Sequence, residues 1–232
     1  MISAVAFLTV IGRGRTPDAS TFRWFAFVGA AIGAVLGGLW WVLEDATSPL
    51  VAAGVIVAAD LAITGMLHLD GLADSADGLL PHLPRERRLD VMRAPDVGAF
   101  AVTIVPTVLL LRWAALASQP VEPGVLVGLW SMSRALLATV PAWVPYARAD
   151  GLASPFLSGS HRSLALGVLP GAAVIVAVEP AAGAVAVAAA LVAGVGVVAL
   201  ARRRLGGFTG DVLGAALVVT ESVGLLVLTE TV

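Results

Sequence analysis

Residues 24–43 read WFAFVGAAIGAVLGGLWWVL, an unbroken run of twenty without a charged side chain. A helix rises about 1.5 Å per residue, so this run is about 30 Å long and matches the hydrocarbon thickness of a bilayer. Working outward from it, comparable runs recur to the C-terminus. Hydrophobic residues make up 59% of the 232 and charged ones only 13%, with a mean hydropathy of +0.95. One water-soluble core cannot bury that many long apolar stretches. Membrane helices can, because their backbone hydrogen bonds close internally. The alternating pattern of a transmembrane β-barrel is absent.

The expected fold is therefore all-α: a polytopic transmembrane bundle in a single integral membrane domain over residues 1–232. Seven spans are expected, at about 24–43, 49–67, 98–117, 124–145, 164–178, 181–200 and 210–229. The long apolar tract 163–200 is split at Glu179-Pro180, since a charge followed by proline is a natural helix boundary. The apolar patch Ala4 to Ile11 has no basic residues before it and no small-residue cleavage pattern, unlike a cleaved signal peptide. Without cysteine, neither disulfides nor thiolate metal sites arise.

All fourteen basic residues are arginines, and twelve fall in alternate connections. Arg13, Arg15 and Arg23 precede the first span. Arg85, Arg87, Arg88 and Arg93 follow the second, Arg148 and Arg162 the fourth, and Arg202, Arg203 and Arg204 the sixth. The intervening connections hold Glu44, Asp45, Glu122 and Glu179. The positive-inside rule then places the N-terminus in the cytoplasm and the C-terminus outside. Connections 68–97 and 146–163 face the cytoplasm, and Arg85 to Met92 reads as an amphipathic stretch lying along the headgroups.

Cytoplasmic loop 68–97 opens with the acidic motif His68-Leu-Asp70-Gly-Leu-Ala-Asp74-Ser-Ala-Asp77-Gly78. On a helix, Asp70, Asp74 and Asp77 share a sector of about 60°. Like charges stacked there repel, so arginines or a bound cation should offset them. Hard oxygen donors without cysteine favour Mg²⁺, Mn²⁺ or Ca²⁺ over zinc. His68 points nearly opposite Asp70 and joins the site only if Gly71 bends the chain. The bland alternative is a solvated acidic helix end. A Mg²⁺ held by carboxylates and a substrate's phosphates suits phosphate ester or anhydride cleavage.

Four ionisable residues fall inside expected spans: Asp60, Arg112, Arg134 and Glu221. Each should face the bundle interior. Asp60 and Arg134 lie at similar depth and form the expected pair, while Arg112 lies nearer the outer surface, where it can snorkel. Arg148 leaves the fourth span in Tyr146-Ala147-Arg148-Ala149-Asp150-Gly151, available to a phosphate. Gly206-Gly207-Phe208-Thr209-Gly210-Asp211 opens the seventh span, either as an anion site of exposed backbone N–H groups or as a tight turn.

These motifs, in this order, resemble the cobalamin synthase (adenosylcobinamide-GDP ribazoletransferase) family. The resemblance runs from Thr64-Gly65 and the aspartate motif through Arg87-Arg88-Leu89, Met92-Arg93, Ser133-Arg134, Tyr146-Ala147-Arg148 with Gly151-Leu152, and Gly206-Gly207 with Thr209-Gly210-Asp211. It continues through Leu213-Gly214-Ala215-Ala216 to Glu221, with weaker echoes at Phe7-Leu8-Thr9 and Val28-Gly29. It implies that the hydroxyl of α-ribazole, or of its 5′-phosphate, attacks adenosylcobinamide-GDP. GMP leaves, adenosylcobalamin or its 5′-phosphate forms, and Mg²⁺ is required. Asp70, Asp74 and Asp77 are then the expected metal ligands. One of them, or His68, takes the hydroxyl proton. Arg93, Arg134 and Arg148 would bind phosphates, with Gly207, Thr209, Gly210 and Asp211 completing the pocket.

The same resemblance implies a bacterial inner membrane location, a lipid bilayer as partner and no nucleic acid. A second copy or other corrinoid-pathway enzymes are possible partners. Departures from the family pattern lie at Val10-Ile11-Gly12, in place of Arg-Leu-Pro, and at Ala26, in place of proline. Ala94 and Asp96 stand where an aspartate and an arginine are expected, and Val218 where a glutamate is often seen. Two rivals are a CDP-alcohol phosphotransferase, whose Asp-Gly-x-x-Ala-Arg continuation is missing here, and a transporter using Asp60, Arg134 and Glu221 as an ion path. Transporters concentrate charge at the midplane and often show repeated halves, whereas this chain's densest cluster lies at one face.

Overall fold

The computed structural model describes residues 1–12, 20–148 and 164–229, and these are helical almost throughout. The helices are α1 (Ile2–Leu8), α2 (Phe25–Glu44), α3 (Pro49–Thr64), α4 (Leu67–Leu79) and α5 (Arg85–Val91), followed by α6 (Ala99–Ala117), α7 (Pro123–Thr139), α8 (Leu169–Val178), α9 (Pro180–Leu205) and α10 (Gly210–Thr229). Among the described residues there is no strand, only an isolated bridge between Tyr146 and Phe208.

Five stretches are long and apolar enough to cross a membrane: Thr21–Glu44, Ala99–Ala117, Pro123–Ala142, Pro180–Leu205 and Gly210–Leu228. A sixth arises if α3 and α4 are taken together, although a 91° bend separates them. The expected fifth span is a shorter apolar helix, Leu166–Val178. Its boundary with the next helix falls at Glu179, as the Glu-Pro pair dictates. Arg13, Arg15 and Arg162, which contribute to the charge bias, lie outside the described residues, as do Asp150, Gly151 and Leu152.

Two helices, α7 and α10, form the enclosed centre. Hydrocarbon cannot drive helices together by hydrophobicity, so close backbone approach between small residues does. On α2, Gly29, Gly33 and Gly37 form one stripe against α7. A methyl group at Gly29 would run into Trp130, at Gly33 into Leu126 and at Gly37 into Pro123. Across the other side of α7, Gly128 meets Gly171.

The bend between α3 and α4 has a local cause. Gly65 and Met66 both adopt left-handed backbone, each with φ 59°. The Gly65 and Met66 N–H groups both donate to the Leu61 carbonyl, closing α3, and α4 starts afresh at Leu67. The N-terminal segment braces this corner: Val10 N–H donates to the Ile63 carbonyl at 2.9 Å, and a Cβ on Gly65 would lie 2.8 Å from Val10 Cγ1.

The acidic motif is helical, as its spacing suggests. Residues 68–79 belong to a helix packed between α10 and α6, and only the segment after Leu79 leaves the bundle. That segment is tied back by two arginines. Arg88 donates to the Gly78 and Leu79 carbonyls at 2.7 and 3.1 Å, and Arg204 donates to the Pro81 carbonyl at 3.2 Å.

Candidate active site

The crossing of α4 over α10 depends on two glycines. At Gly71 an added Cβ would lie 2.7 Å from the Asp211 carbonyl oxygen, and at Gly214 one would lie 3.2 Å from the His68 backbone. This contact brings the aspartate helix beside the Gly-Gly-x-Thr-Gly-Asp turn. The turn is fixed by its own chemistry: α9 ends at Gly206 with φ 77°, and Thr209 Oγ1 caps α10 by accepting from Val212 N–H at 3.2 Å. Gly207 has no room for a side chain because the Pro145 carbonyl presses on it. Pairing of Phe208 N–H with Pro145 and of Ala147 N–H with the Phe208 carbonyl holds the exit of α7 against the turn. Arg148 is delivered there, donating to Asp211 Oδ2 at 2.8 Å and to the Met92 carbonyl at 3.4 Å.

Sequence-predicted residues therefore fall into two groups. Asp70 is exposed, Asp74 is half-buried, and Asp74 feels the charges of Asp211, Asp70, Arg148 and Asp77. Asp70, Asp74, Asp211, Thr209 and Arg148 thus share one mouth of the bundle. Gly210 opens onto free space there, and Arg93 is exposed near Met92. Asp77 is turned inward, 7% exposed, and its carboxylate caps α6. It accepts N–H bonds from Gly98 at 2.6 Å and from Phe100 and Ala101 at 3.1 Å each.

His68 and Arg134 belong elsewhere. Because α4 is an unbroken helix through Gly71, His68 stays on the face opposite Asp70 and is buried at 6% exposure. Arg134 is fully enclosed and donates to Glu221 and to Ser133 Oγ, so as placed it does not reach the mouth where a phosphate would bind.

Both border a buried ionic network inside the bundle. Its centre is Arg112, which donates to Asp60 at 2.8 Å and to Glu221 at 2.9 Å, with a further bond to Ser222 Oγ at 3.3 Å. Trp130 Nε1 donates to the other Asp60 oxygen at 2.9 Å, and Ser133 Oγ donates to Glu221 at 2.8 Å. Both guanidinium groups also lie over the Trp130 ring. The expected Asp60–Arg134 pair is thus replaced by Asp60–Arg112, and Arg112, at 4% exposure, does not snorkel. Its apparent depth misled because α3 stops at Thr64 and brings Asp60 level with the later turns of α6. Trp130 and Ser222 were not legible as network members, since neither carries a charge that hydropathy would flag.

Carboxylate oxygens are the right donors for Mg²⁺, which takes one or two of them and completes its shell with water and substrate phosphate. Asp70 and Asp74 are available for that, with no hydrogen bond to either carboxylate among the described residues. No group of three or more acidic or histidine side chains is already gathered for a metal among those residues. The arrangement therefore fits an ion shared with a substrate better than a closed protein cage.

A family model described as cobalamin-5-phosphate synthase matches residues 1–229. Curated relatives named adenosylcobinamide-GDP ribazoletransferase include one from Chlorobium phaeovibrioides, 35% identical over 95% of this chain and 93% of its own length. One from Stutzerimonas stutzeri is 39% identical over 82% of this chain and 80% of its own. Another, from Bradyrhizobium diazoefficiens, is 34% identical over 97% and 90%. No solved structure matches the chain.

Proposed function

We propose that this chain, which belongs to the cobalamin-5-phosphate synthase family, acts as an adenosylcobinamide-GDP ribazoletransferase at the cytoplasmic mouth of its bundle. The observation that carries the reading is the meeting of Asp70, Asp74, Asp211 and Arg148 where α4 crosses the start of α10. The α-ribazole 3′-hydroxyl, free or on its 5′-phosphate, attacks the phosphorus attached to cobinamide. A new P–O bond forms as the bond to the GMP oxygen breaks, and GMP departs with the electron pair.

Within that reaction each residue has a distinct task. Asp70 and Asp74 would hold Mg²⁺, which when bound would offset negative charge on the substrate's phosphates. The hydroxyl proton passes to a carboxylate of α4, since His68 faces the other way. Arg148 exchanges Asp211 for a substrate phosphate, a geometry its planar fork favours. Exposed Arg93 adds a second cation, and the N-terminal amides of α10, reached across Gly210, suit an anion. Asp77 holds α4 on α6 and thereby fixes where the other two aspartates point.

The bilayer location, with the arginine-rich end in the cytoplasm of a bacterial inner membrane, follows from the positive-inside pattern. Arg85, Arg148 and Arg204 all gather at the end that carries Asp70 and Asp74, which supports it. The mutual pairing of all four intramembrane charges supports a structural network over an ion path.

The test is release of GMP by purified protein in lipid, given adenosylcobinamide-GDP and α-ribazole 5′-phosphate. Mg²⁺-dependent GMP with a cobamide product, both absent in Asp74→Asn, is the expected result. No turnover where a known family member works sinks the assignment.

A further inference from the structure

Among the described residues five buried side-chain polar atoms have no hydrogen-bond partner, and three of them, His68 Nε2, Arg134 Nε and Arg134 Nη2, belong to two residues of one region. Both residues line one small cavity inside the bundle, together with Asp60, Thr64, Arg112 and Glu221. His68 is 6% exposed and Arg134 is fully enclosed, and the two are near enough to interact electrostatically. Buried polar atoms are rarely left unpaired, so something polar belongs between them.

The chemistry of the surroundings selects it. Each carboxylate oxygen of Asp60 and Glu221 already accepts a hydrogen bond, from Trp130, Arg112, Ser133 or Arg134. Arg134 therefore has donors left over and no acceptor to receive them. An anion would satisfy it, yet two arginines and two carboxylates already balance, and an extra charge in a low-dielectric interior is costly. A neutral molecule with two acceptor and two donor sites fits without changing the charge, and a buried water takes two to four such bonds.

We propose that this cavity holds one internal water, which accepts from Arg134 and donates to an unprotonated His68 Nε2. The water joins the buried ionic network to the first turn of α4, the helix that carries Asp70 and Asp74. His68 is thereby a positioning residue: it acts through the orientation of α4 and touches neither substrate nor metal. The water site stands without the catalytic reading, whereas the positioning role rests on it.

Protein with ¹⁵N-labelled histidine in lipid nanodiscs tests the water directly, since only three histidines are present. The His68 signal is the one lost in His68→Gln. It should show its proton on Nδ1 and a bare Nε2 that receives magnetisation from water, and Arg134→Lys should remove that transfer. A proton on Nε2, or no transfer in the unaltered protein, overturns the water site. For positioning, His68→Gln, whose amide reaches the place of Nε2, should keep most of the turnover. His68→Leu should lower kcat about tenfold or weaken metal half-saturation by a similar factor, as loss of an orienting partner does, with the nucleotide KM unchanged. His68→Asn, whose amide matches Nδ1 instead, replaces the leucine variant if that one fails to fold. Turnover and metal response equal to the unaltered protein in the leucine or asparagine variant overturns the positioning role, whatever the spectra show.

Discussion

The Asp77 carboxylate lies against the N–H of Gly98 at 2.6 Å and so locks the end of the aspartate helix onto the start of α6. Two more N–H groups, of Phe100 and Ala101, complete the cap. With three donors on one buried carboxylate, Asp77 has little left to offer a metal, although the spacing of the motif treats it as the equal of Asp70 and Asp74.

From this follows a separation of phenotypes. Asp77→Ala should lower stability by about 1–2 kcal/mol, the usual worth of a helix cap, seen as a lower Tm in detergent. Mn²⁺ affinity measured by electron paramagnetic resonance in the presence of nucleotide substrate should fall far less than in Asp74→Asn. Equal loss of metal in both variants would count against the capping role.

Metal and phosphate chemistry should track the exposed face of α4 and its neighbours. Chelation should abolish GMP release and Mg²⁺ should restore it. Asp70→Asn should raise the Mg²⁺ needed for half-maximal activity while leaving Tm within about 0.5 kcal/mol equivalent, as expected for a surface change. Arg148→Ala should cost substrate affinity and kcat together, and Asp211→Asn should cost less, because it loosens Arg148 without removing it.

Inside the membrane, Arg112 holds two carboxylates on two different helices. Removing one member of a buried ionic network leaves uncompensated charge, so Arg112→Met should destabilise by about 3–5 kcal/mol. Adding Asp60→Asn to Arg112→Met keeps the Arg134–Glu221 pair and restores charge balance, so it should recover much of that loss. Thermal unfolding of the single and double variants in nanodiscs reads this directly, and an additive result would remove the network argument.

The α2–α7 seam makes a steric prediction. Gly33→Val puts a branched side chain into the Leu126 backbone, whereas Gly38 has nothing within 4 Å of a new Cβ. Gly33→Val should therefore misfold or lose several kcal/mol, given that overpacking alone typically costs about 1–3 kcal/mol. Gly38→Ala should match the unaltered protein. Folded yield from a membrane preparation separates the two.

Much of this architecture is legible in the chain. Apolar runs announce α2, α6, α7, α9 and α10, and the Glu179-Pro180 break marks the next helix start, because hydropathy and proline act locally. The acidic stripe is legible for the same reason: helical periodicity alone puts Asp70 and Asp74 on one face. What escapes is whatever depends on where helices stop and cross. Two left-handed residues at Gly65 and Met66 turn a simple span into a corner, and nothing in the pattern distinguishes Met66 from any other apolar residue. The partner of Asp60 changes with that corner, from Arg134 to Arg112. Asp77 and His68 share the motif with the metal candidates, but their directions are set by α6 and α10, which lie far along the chain.

The α4–α10 crossing also orders the protein's birth. Gly71 and Asp211 meet backbone to backbone, yet the ribosome makes α4 long before α10. Asp77 can cap α6 as soon as that helix is made, but Asp70, Asp74 and His68 lack their final packing until α10 joins the bundle. The site proposed at this crossing is therefore assembled last, when the final helix docks.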